Sequence, residues 1–296
     1  MKILVTGGVG FIGRHLVEFL LKDNQVLVYD NLSNSTNENV VSLVNKGAEF
    51  LKGDVLDFKT MSDFSKNVDV IIHLAAIADV NESVINPDIT KKINVNGTKN
   101  VLQCCIKNKI KKIIFASSAA VYGDCKNTIT EKTNTNPQSP YGQSKLDAEK
   151  IIKNTCKENE FEYIIFRMFN VYGKGQNKQY AGVITKFLEN IKKNKSLVVY
   201  GDGTQTRDFI SIDDIIEAFS LALVLNKNGI YNIASGKSIS INELIQIIFN
   251  VFGEKVEIKN KEVKKGDIKN SVVDVSSAQK IGFYANKLLE EELTKI

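Results

Sequence analysis

Tyr141-Gly142-Gln143-Ser144-Lys145 sets a phenol and an ammonium four residues apart, a spacing that puts both on one face of a helix. An ammonium beside a phenol favours the phenolate and draws it down from an ordinary pKa of about 10. Such a phenol can take a proton from an alcohol and later return it. Pro137 and Pro140 mark the start of that helix, and a β-branched run upstream ends in Ser117-Ser118. The hydroxyl of Ser118 is then placed to hold the same substrate oxygen. Ser118, Tyr141 and Lys145 are the candidate catalytic residues.

A glycine loop supplies the second feature. Gly7-Gly8-Val9-Gly10-Phe11-Ile12-Gly13 lies between a first strand and a first helix. Gly7 permits a tight turn, Gly10 lets backbone approach a pyrophosphate, and Gly13 lets helix and strand pack closely. Phe11 and Ile12 open a helix whose unpaired N–H groups and partial positive charge suit phosphate. Asp30 ends the second strand, where a carboxylate accepts ribose hydroxyls and repels a 2′-phosphate. The expected cofactor is NAD rather than NADP, and its oxidised ring would add to Lys145 in favouring the phenolate. Arg14 reads as an exposed helix cation.

These residues need a scaffold, and the hydrophobic pattern provides one. Strands are expected at 2–6, 25–30, 48–51, 68–73, 111–116 and 161–167, with helices at 11–22, 36–46, 85–108 and 142–159. That alternation predicts an α/β chain, a Rossmann-type doubly wound parallel sheet. Beyond about residue 170 the pattern loosens around glycine loops at 173–175 and 201–203. Helices are expected there near 180–193, 211–225 and 241–252. The expected organisation is an NAD-binding domain over 1–168, joined by a segment near 211–233. A smaller C-terminal α/β substrate domain would occupy mainly 169–296.

Composition narrows the function classes. Of 296 residues, 43% are apolar and 25% charged, enough to bury a core and unlike a disordered chain. No apolar run approaches the roughly 18 residues of a membrane span, and the first residues lack the pattern of a secretory signal. A cytoplasmic protein with no membrane partner is expected. Four cysteines without a CxxC pair and two histidines supply a zinc site poorly, so no metal is expected and the thiols read as reduced and mostly buried. The net charge of +5 comes from 36 lysines scattered along the chain and three arginines. Without a basic stripe, nucleic acid is not an expected partner. In so lysine-rich a chain, an arginine hints at a need for planar, bidentate geometry.

With these motifs in place, the chain resembles the extended short-chain dehydrogenase/reductases and, within them, the sugar-nucleotide 4-epimerases. The resemblance runs through Asp30-Asn31-Leu32, Gly53-Asp54-Val55, His73-Leu74-Ala75-Ala76, Asn94-Val95-Asn96-Gly97-Thr98 and Ser117-Ser118-Ala119-Ala120. It continues through Arg167-Met168-Phe169-Asn170, Arg207-Asp208-Phe209 and Tyr231-Asn232-Ile233-Ala234. It implies that Asn31, Asp54, Val55, Leu74, Ala75 and Ala76 line the cofactor. Tyr141 would be the base and acid, Lys145 its partner and ribose anchor, and Ser118 the bridge to the sugar. Asn170 would hold the diphosphate region of a UDP-sugar and Arg207 its phosphates, a role suited to guanidinium. His73 reads as a packed strand-end residue. A homodimer is the usual assembly of the resembling family, with the helices near 85–108 and 142–159 as candidate interfaces.

The resemblance also separates activities. Family dehydratases carry an acid after position 118, whereas Ala119 and Ala120 stand here. Dehydration therefore lacks its proton donor, and NAD-dependent epimerisation at C4 of a UDP-hexose through a 4-keto sugar is the expected reaction. Another sugar-nucleotide reductase or dehydratase of the same family, or a catalytically silent NAD-binding regulator, are the alternatives. Lys264 precedes Gly266-Asp267 where the family often has arginine, so Lys264 and Asp267 would form a weaker second phosphate clamp. Ser271 aligns with the position that limits room around the sugar's C2 substituent. A serine there implies space for N-acetylated sugars.

Overall fold

The computed structural model describes residues 1–176, 182–263 and 269–296. In chain order come β1 (Lys2–Thr6), α1 (Phe11–Leu20), β2 (Gln25–Asp30), α2 (Asn37–Asn45), β3 (Glu49–Lys52), α3 (Phe58–Phe64) and β4 (Val70–His73). Then follow α4 (Val80–Ile85), α5 (Pro87–Lys91), a π-helical turn (Lys92–Asn96), α6 (Gly97–Asn108), β5 (Lys112–Ser118), α7 (Pro140–Glu158) and β6 (Glu162–Met168). The remainder is β7 (Asn170–Tyr172), α8 (Val183–Lys192), β8 (Leu197–Tyr200), β9 (Thr206–Ser211), α9 (Ile212–Val224) and β10 (Gly229–Ile233). It closes with β11 (Ser238–Ser240), α10 (Ile241–Phe252), β12 (Ile258–Lys261), α11 (Ser276–Gln279) and α12 (Leu289–Leu293).

Seven strands form one parallel sheet in the order β3-β2-β1-β4-β5-β6-β10. Strands buried on both faces read as continuous apolar runs, as in Lys-Ile-Leu-Val-Thr of β1. Ile3 and Val5 face one core with Leu16, Val17, Phe166, Ile215 and Phe219, between the sheet and α1 and α9. Leu4 faces the other core with Ile71, Ile113, Leu102, Ala148 and Ile152, beneath α6 and α7. The strand order reverses between β1 and β4, which opens a crevice at their carboxyl ends. Cys104, Cys105 and Cys156 are free thiols buried in the second core.

A smaller set of elements forms its own core around Phe187, Leu188, Leu197, Phe209, Leu244 and Ile248. It carries a three-stranded sheet, β11-β9-β7, and a parallel pair, β12-β8. These strands were not expected from the sequence, because all but β9 are only three or four residues long, too short for a strand alternation to stand out. The long helix expected over 85–108 is present as a continuous run from Pro87 to Asn108 that contains the π-helical turn, and it begins two residues later than expected. A residue before proline is pushed out of the helical region, and Asn86, ahead of Pro87, takes φ −126° and ψ 63°. The π-helical turn then re-aims Asn94 inward.

The edge-to-face contact of Phe219 on Phe166, with ring centroids 5.3 Å apart, fastens α9 to the sheet. Phe219→Ala is expected to lose about 3–5 kcal/mol of stability in urea unfolding, with an unchanged denaturant slope.

Candidate active site

The turn between β1 and α1 is built for backbone contact. Gly7 has φ +70°, and a Cβ there would meet the Ala75 nitrogen at 2.7 Å. A Cβ on Gly13 would meet the Gly7 carbonyl at 2.3 Å, so strand and helix could not close. Gly10 caps α1 with its first N–H groups unclaimed by any side-chain cap. A cavity of about 420 Å³ opens there, lined by Gly7, Gly10, Phe11, Ile12, Gly13, Asp30 and Asn31 near one end and Ser118, Tyr141 and Lys145 at the other. Val55, Leu74, Ala75 and Ala76 line it as well.

Asp30 is buried and accepts the Val9 amide at 3.0 Å and the Leu32 amide at 2.8 Å. Burial pushes its carboxyl up and the two amides pull it down. One amide per oxygen leaves each a second lone pair, so the carboxylate still offers acceptors to ribose hydroxyls. Arg14 is turned elsewhere and donates to the carbonyls of Lys174 and Gly175. Asp54 does not line the cavity. Its carboxylate accepts Asn31 Nδ2 at 3.0 Å and the Leu56 amide at 2.9 Å, which holds Asn31 and Val55 in place.

Two strand-end residues, Thr6 and His73, and Thr98 on α6 steady the wall. Thr98 donates to the Asn94 carbonyl at 2.6 Å and so accepts from His73 Nε2 at 3.0 Å. His73 Nδ1 is left to accept the Thr6 hydroxyl at 2.7 Å. Burial lowers the His73 imidazole to about 3, with Lys145 adding to the shift, so it stays neutral and structural, as the sequence suggested.

Tyr141 and Lys145 share a face of α7, which starts at Pro140 with the Ser139 hydroxyl accepting the Gly142 amide at 3.1 Å. Lys145 is buried. Its Nζ donates to the Ala116 carbonyl at 2.8 Å and lies 4.9 Å from the Phe115 ring centroid and 5.9 Å from that of Tyr141. Burial lowers the ammonium to about 7, against an opposing pull from Glu149. The phenol of Tyr141 is pushed up by burial and drawn down by the Ser118 hydroxyl. Both groups are desolvated together, and the phenolate needs a further positive charge at the site.

Two supports escaped the sequence reading. The Asn94 side chain pairs with both backbone groups of Ile77, at 2.8 and 3.0 Å, and donates to Ser144 Oγ at 2.9 Å. Ser144 in turn donates to the Tyr141 carbonyl. Ser83 accepts the Tyr141 amide at 3.1 Å. The Asn94-Val95-Asn96-Gly97-Thr98 motif marked the first position without showing what it holds, and the second left no hint.

A second cavity of about 720 Å³ adjoins the first, and Val171 and Gln176 line both. Asn170 and Arg207 line it, with Asn170 donating to the Asp208 carbonyl at 2.8 Å. Ser271 lines neither cavity. Its amide donates to Thr206 Oγ1 at 3.1 Å and its carbonyl accepts the Ser238 hydroxyl, so its backbone ties β9 to β11. Lys264 and Asp267 lie outside the described residues.

The profile of the NAD dependent epimerase/dehydratase family matches residues 3–234. The chain is 40% identical to a putative UDP-glucose 4-epimerase of Methanocaldococcus jannaschii, over 99% of this chain and 96% of that one. Among solved structures it is similar to a UDP-N-acetylglucosamine 4-epimerase from Methanobrevibacter ruminantium in complex with UDP-N-acetylmuramic acid. That match has a TM-score of 0.95 and 38% identity, and covers 99% of this chain and 96% of that one. It is also similar to the Thermus thermophilus UDP-glucose 4-epimerase in complex with NAD, with a TM-score of 0.92 and 30% identity over 100% and 97% of the two chains.

The depressed Lys145 has a signed consequence for stability in the NAD-free protein. Between about pH 7 and the ordinary lysine value the unfolded chain holds the proton and the folded one does not, so this residue's contribution rises with pH there. Wild type should gain on Lys145→Met by at most about 1.4 kcal/mol per pH unit in urea unfolding across that window. An unchanged difference would place the ammonium in solvent.

Proposed function

Because the chain belongs to the NAD dependent epimerase/dehydratase family, we propose that it epimerises C4 of a UDP-hexose, interconverting UDP-glucose and UDP-galactose through a 4-keto sugar. The observation that carries this reading is the continuity of the two cavities through Val171 and Gln176. Ser118, Tyr141 and Lys145 stand in one, and Arg207 and Asn170 in the other. N-acetylated hexoses remain within the proposal on the strength of the Methanobrevibacter relative, not of Ser271.

The residues around the first cavity fit NAD: a glycine turn with no room for a side chain, an uncapped helix N-terminus, and a carboxylate with spare acceptors. Bound NAD supplies the reversible two-electron oxidation of the C4 carbinol and a cationic ring. Tyr141 takes the C4 hydroxyl proton as that carbon is oxidised, and Ser118 holds the oxygen. Lys145 stabilises the charge on the phenol. After the keto sugar turns about its diphosphate linkage, Tyr141 returns the proton to the oxygen now presented on the other face. Arg207 neutralises the diphosphate meanwhile, which suits guanidinium geometry. Ala119 and Ala120 form a short turn beside Ser118 and offer no acid for dehydration.

The proposal extends to organisation. Residues 1–168 with the segment near 211–233 would hold the dinucleotide, and 169–296 mainly the sugar nucleotide. The pairing of β10 with β6 and of α9 with the first core supports this. Exposed Ile85, Ile89 and Ile106 on α4, α5 and α6 support a homodimer through that side. No described helix is long and apolar enough to cross a membrane, and the free cysteines support a cytoplasmic setting.

Purified protein given UDP-galactose should yield UDP-glucose with no net NADH. Tyr141→Phe should lower kcat by about 10²–10⁴-fold, and near-complete retention of activity would remove the phenol from the chemistry. NAD should bind more tightly than NADP by calorimetry, and Asp30→Ala should narrow that gap.

A further inference from the structure

Three successive residues at the end of β5 each engage one residue along the inner face of α7. The Ala116 carbonyl accepts Lys145 Nζ, Ser117 Oγ donates to Glu149 Oε1 at 2.5 Å, and the Ser118 hydroxyl bears on the Tyr141 phenol. Tyr141, Lys145 and Glu149 recur at four-residue spacing, one helical face. Two of the three are the proposed catalytic pair. Glu149 is the third, and no step described above uses it.

Glu149 is itself fixed. Arg167, which stands opposite Ser117 in the sheet register, donates Nε to both of its oxygens at 3.0 and 3.2 Å and Nη2 to Oε2 at 2.6 Å. Arg167 Nη1 donates to the Tyr122 hydroxyl at 2.9 Å, and that hydroxyl donates to Asn232 at 2.6 Å. Glu149 and Arg167 are buried, at 2% and 5% exposure. A buried ion pair is weak evidence for stability, because apolar replacements often serve as well. Its placement directly behind Ser118 and Lys145 asks for another reason.

We propose that Glu149, held by Arg167, is a positioning residue: it clasps Ser117 so that Ser118 meets Tyr141, and it keeps Lys145 charged while the proton moves. The inference rests on the epimerase reading. Its electrostatic half follows from charge arithmetic. Lys145, Glu149 and Arg167 together carry one net positive charge, and deleting the carboxylate leaves two buried cations. The other titratable groups facing Lys145 are Tyr141 on its own helix and the neutral His73 on β4. Glu149 is the group that opposes the loss of the Lys145 proton on burial.

The test compares NAD-loaded wild type with Glu149→Gln and with the double variant Glu149→Gln/Arg167→Met, which removes both buried charges and so guards against misfolding. Two readouts are taken from pH 6 to 10: steady-state kcat and KM with UDP-galactose, and the ¹³Cε resonance of Lys145, assigned by its absence from Lys145→Met. In Glu149→Gln the alkaline fall in kcat and the Lys145 titration should move toward acid together by about one pH unit, and in the double variant, where the Arg167 charge is gone too, in the same direction by less. At pH 8, kcat should drop about tenfold, as one unit implies, with KM little changed. Folded variants whose Lys145 titrates where wild type does would overturn the proposal, as would failure of both variants to fold. Wild type lacking epimerase activity would sink the functional reading alone, since the lysine titration still decides the role of Glu149.

Discussion

Lys145 reaches the Ala116 carbonyl from inside the protein, and its burial brings an ammonium to about 7. A group so poised changes its charge at little cost when a neighbour changes. Beside it, the phenol of Tyr141 is pushed the opposite way by the same desolvation. Burial disfavours charge on either partner, so the pair shares one problem: a charged phenolate–ammonium couple is affordable only when the site gains a further positive charge. Oxidised nicotinamide is such a charge. The reactive phenolate is then favoured with the oxidised cofactor in place and disfavoured with the reduced one, which ties proton transfer to redox state.

The parallel sheet makes this arrangement possible. Its strands deliver Thr6, Asp30, His73 and Ser118 to one edge, where β1 and β4 diverge. Distant sequence segments therefore converge without long loops, and each is held by bonds to its neighbours rather than by exposed turns. Asn94 and Ser144 bridge the π-helical turn to α7, and Ser83 bridges α4 to the Tyr141 amide. Precision at the phenol thus comes from helices that contribute no catalytic group of their own.

The parts legible in the sequence were those where one residue type is forced. Gly7 and Gly13 have no room for a Cβ, Tyr141 and Lys145 declare themselves by helical spacing, and the doubly buried strands by apolar runs. A motif shows which residue stands at a position, not which neighbours hold it: the Asp54 carboxylate accepts Asn31 Nδ2 and the Leu56 amide, and the Ser271 backbone bonds Thr206 and Ser238. Asn94 and Ser83 were hidden because their partners lie far along the chain, and nothing local distinguishes an inward amide or hydroxyl from an outward one. Pro87 at the first position of α5 marks where the long helix starts, a signal the sequence carried two residues past the expected boundary.

A site that must present both faces of a sugar to one phenol cannot bind that sugar tightly in either pose. Directional hydrogen bonds to ring hydroxyls would favour one face and stall the turn, so grip has to fall on the part that stays still. Around Tyr141 polar side chains are already engaged within the protein: Ser83 takes the Tyr141 amide and gives to the Val80 carbonyl, and Asp79 caps α4 through the Glu82 amide. Alanines occupy positions 119 and 120. Arg207, whose Nη1 donates to the Thr206 carbonyl, lines the adjoining cavity, where a diphosphate would stay fixed. Strong charge at the anchor and spent hydrogen bonds near the phenol form the asymmetry that lets a keto sugar turn without leaving.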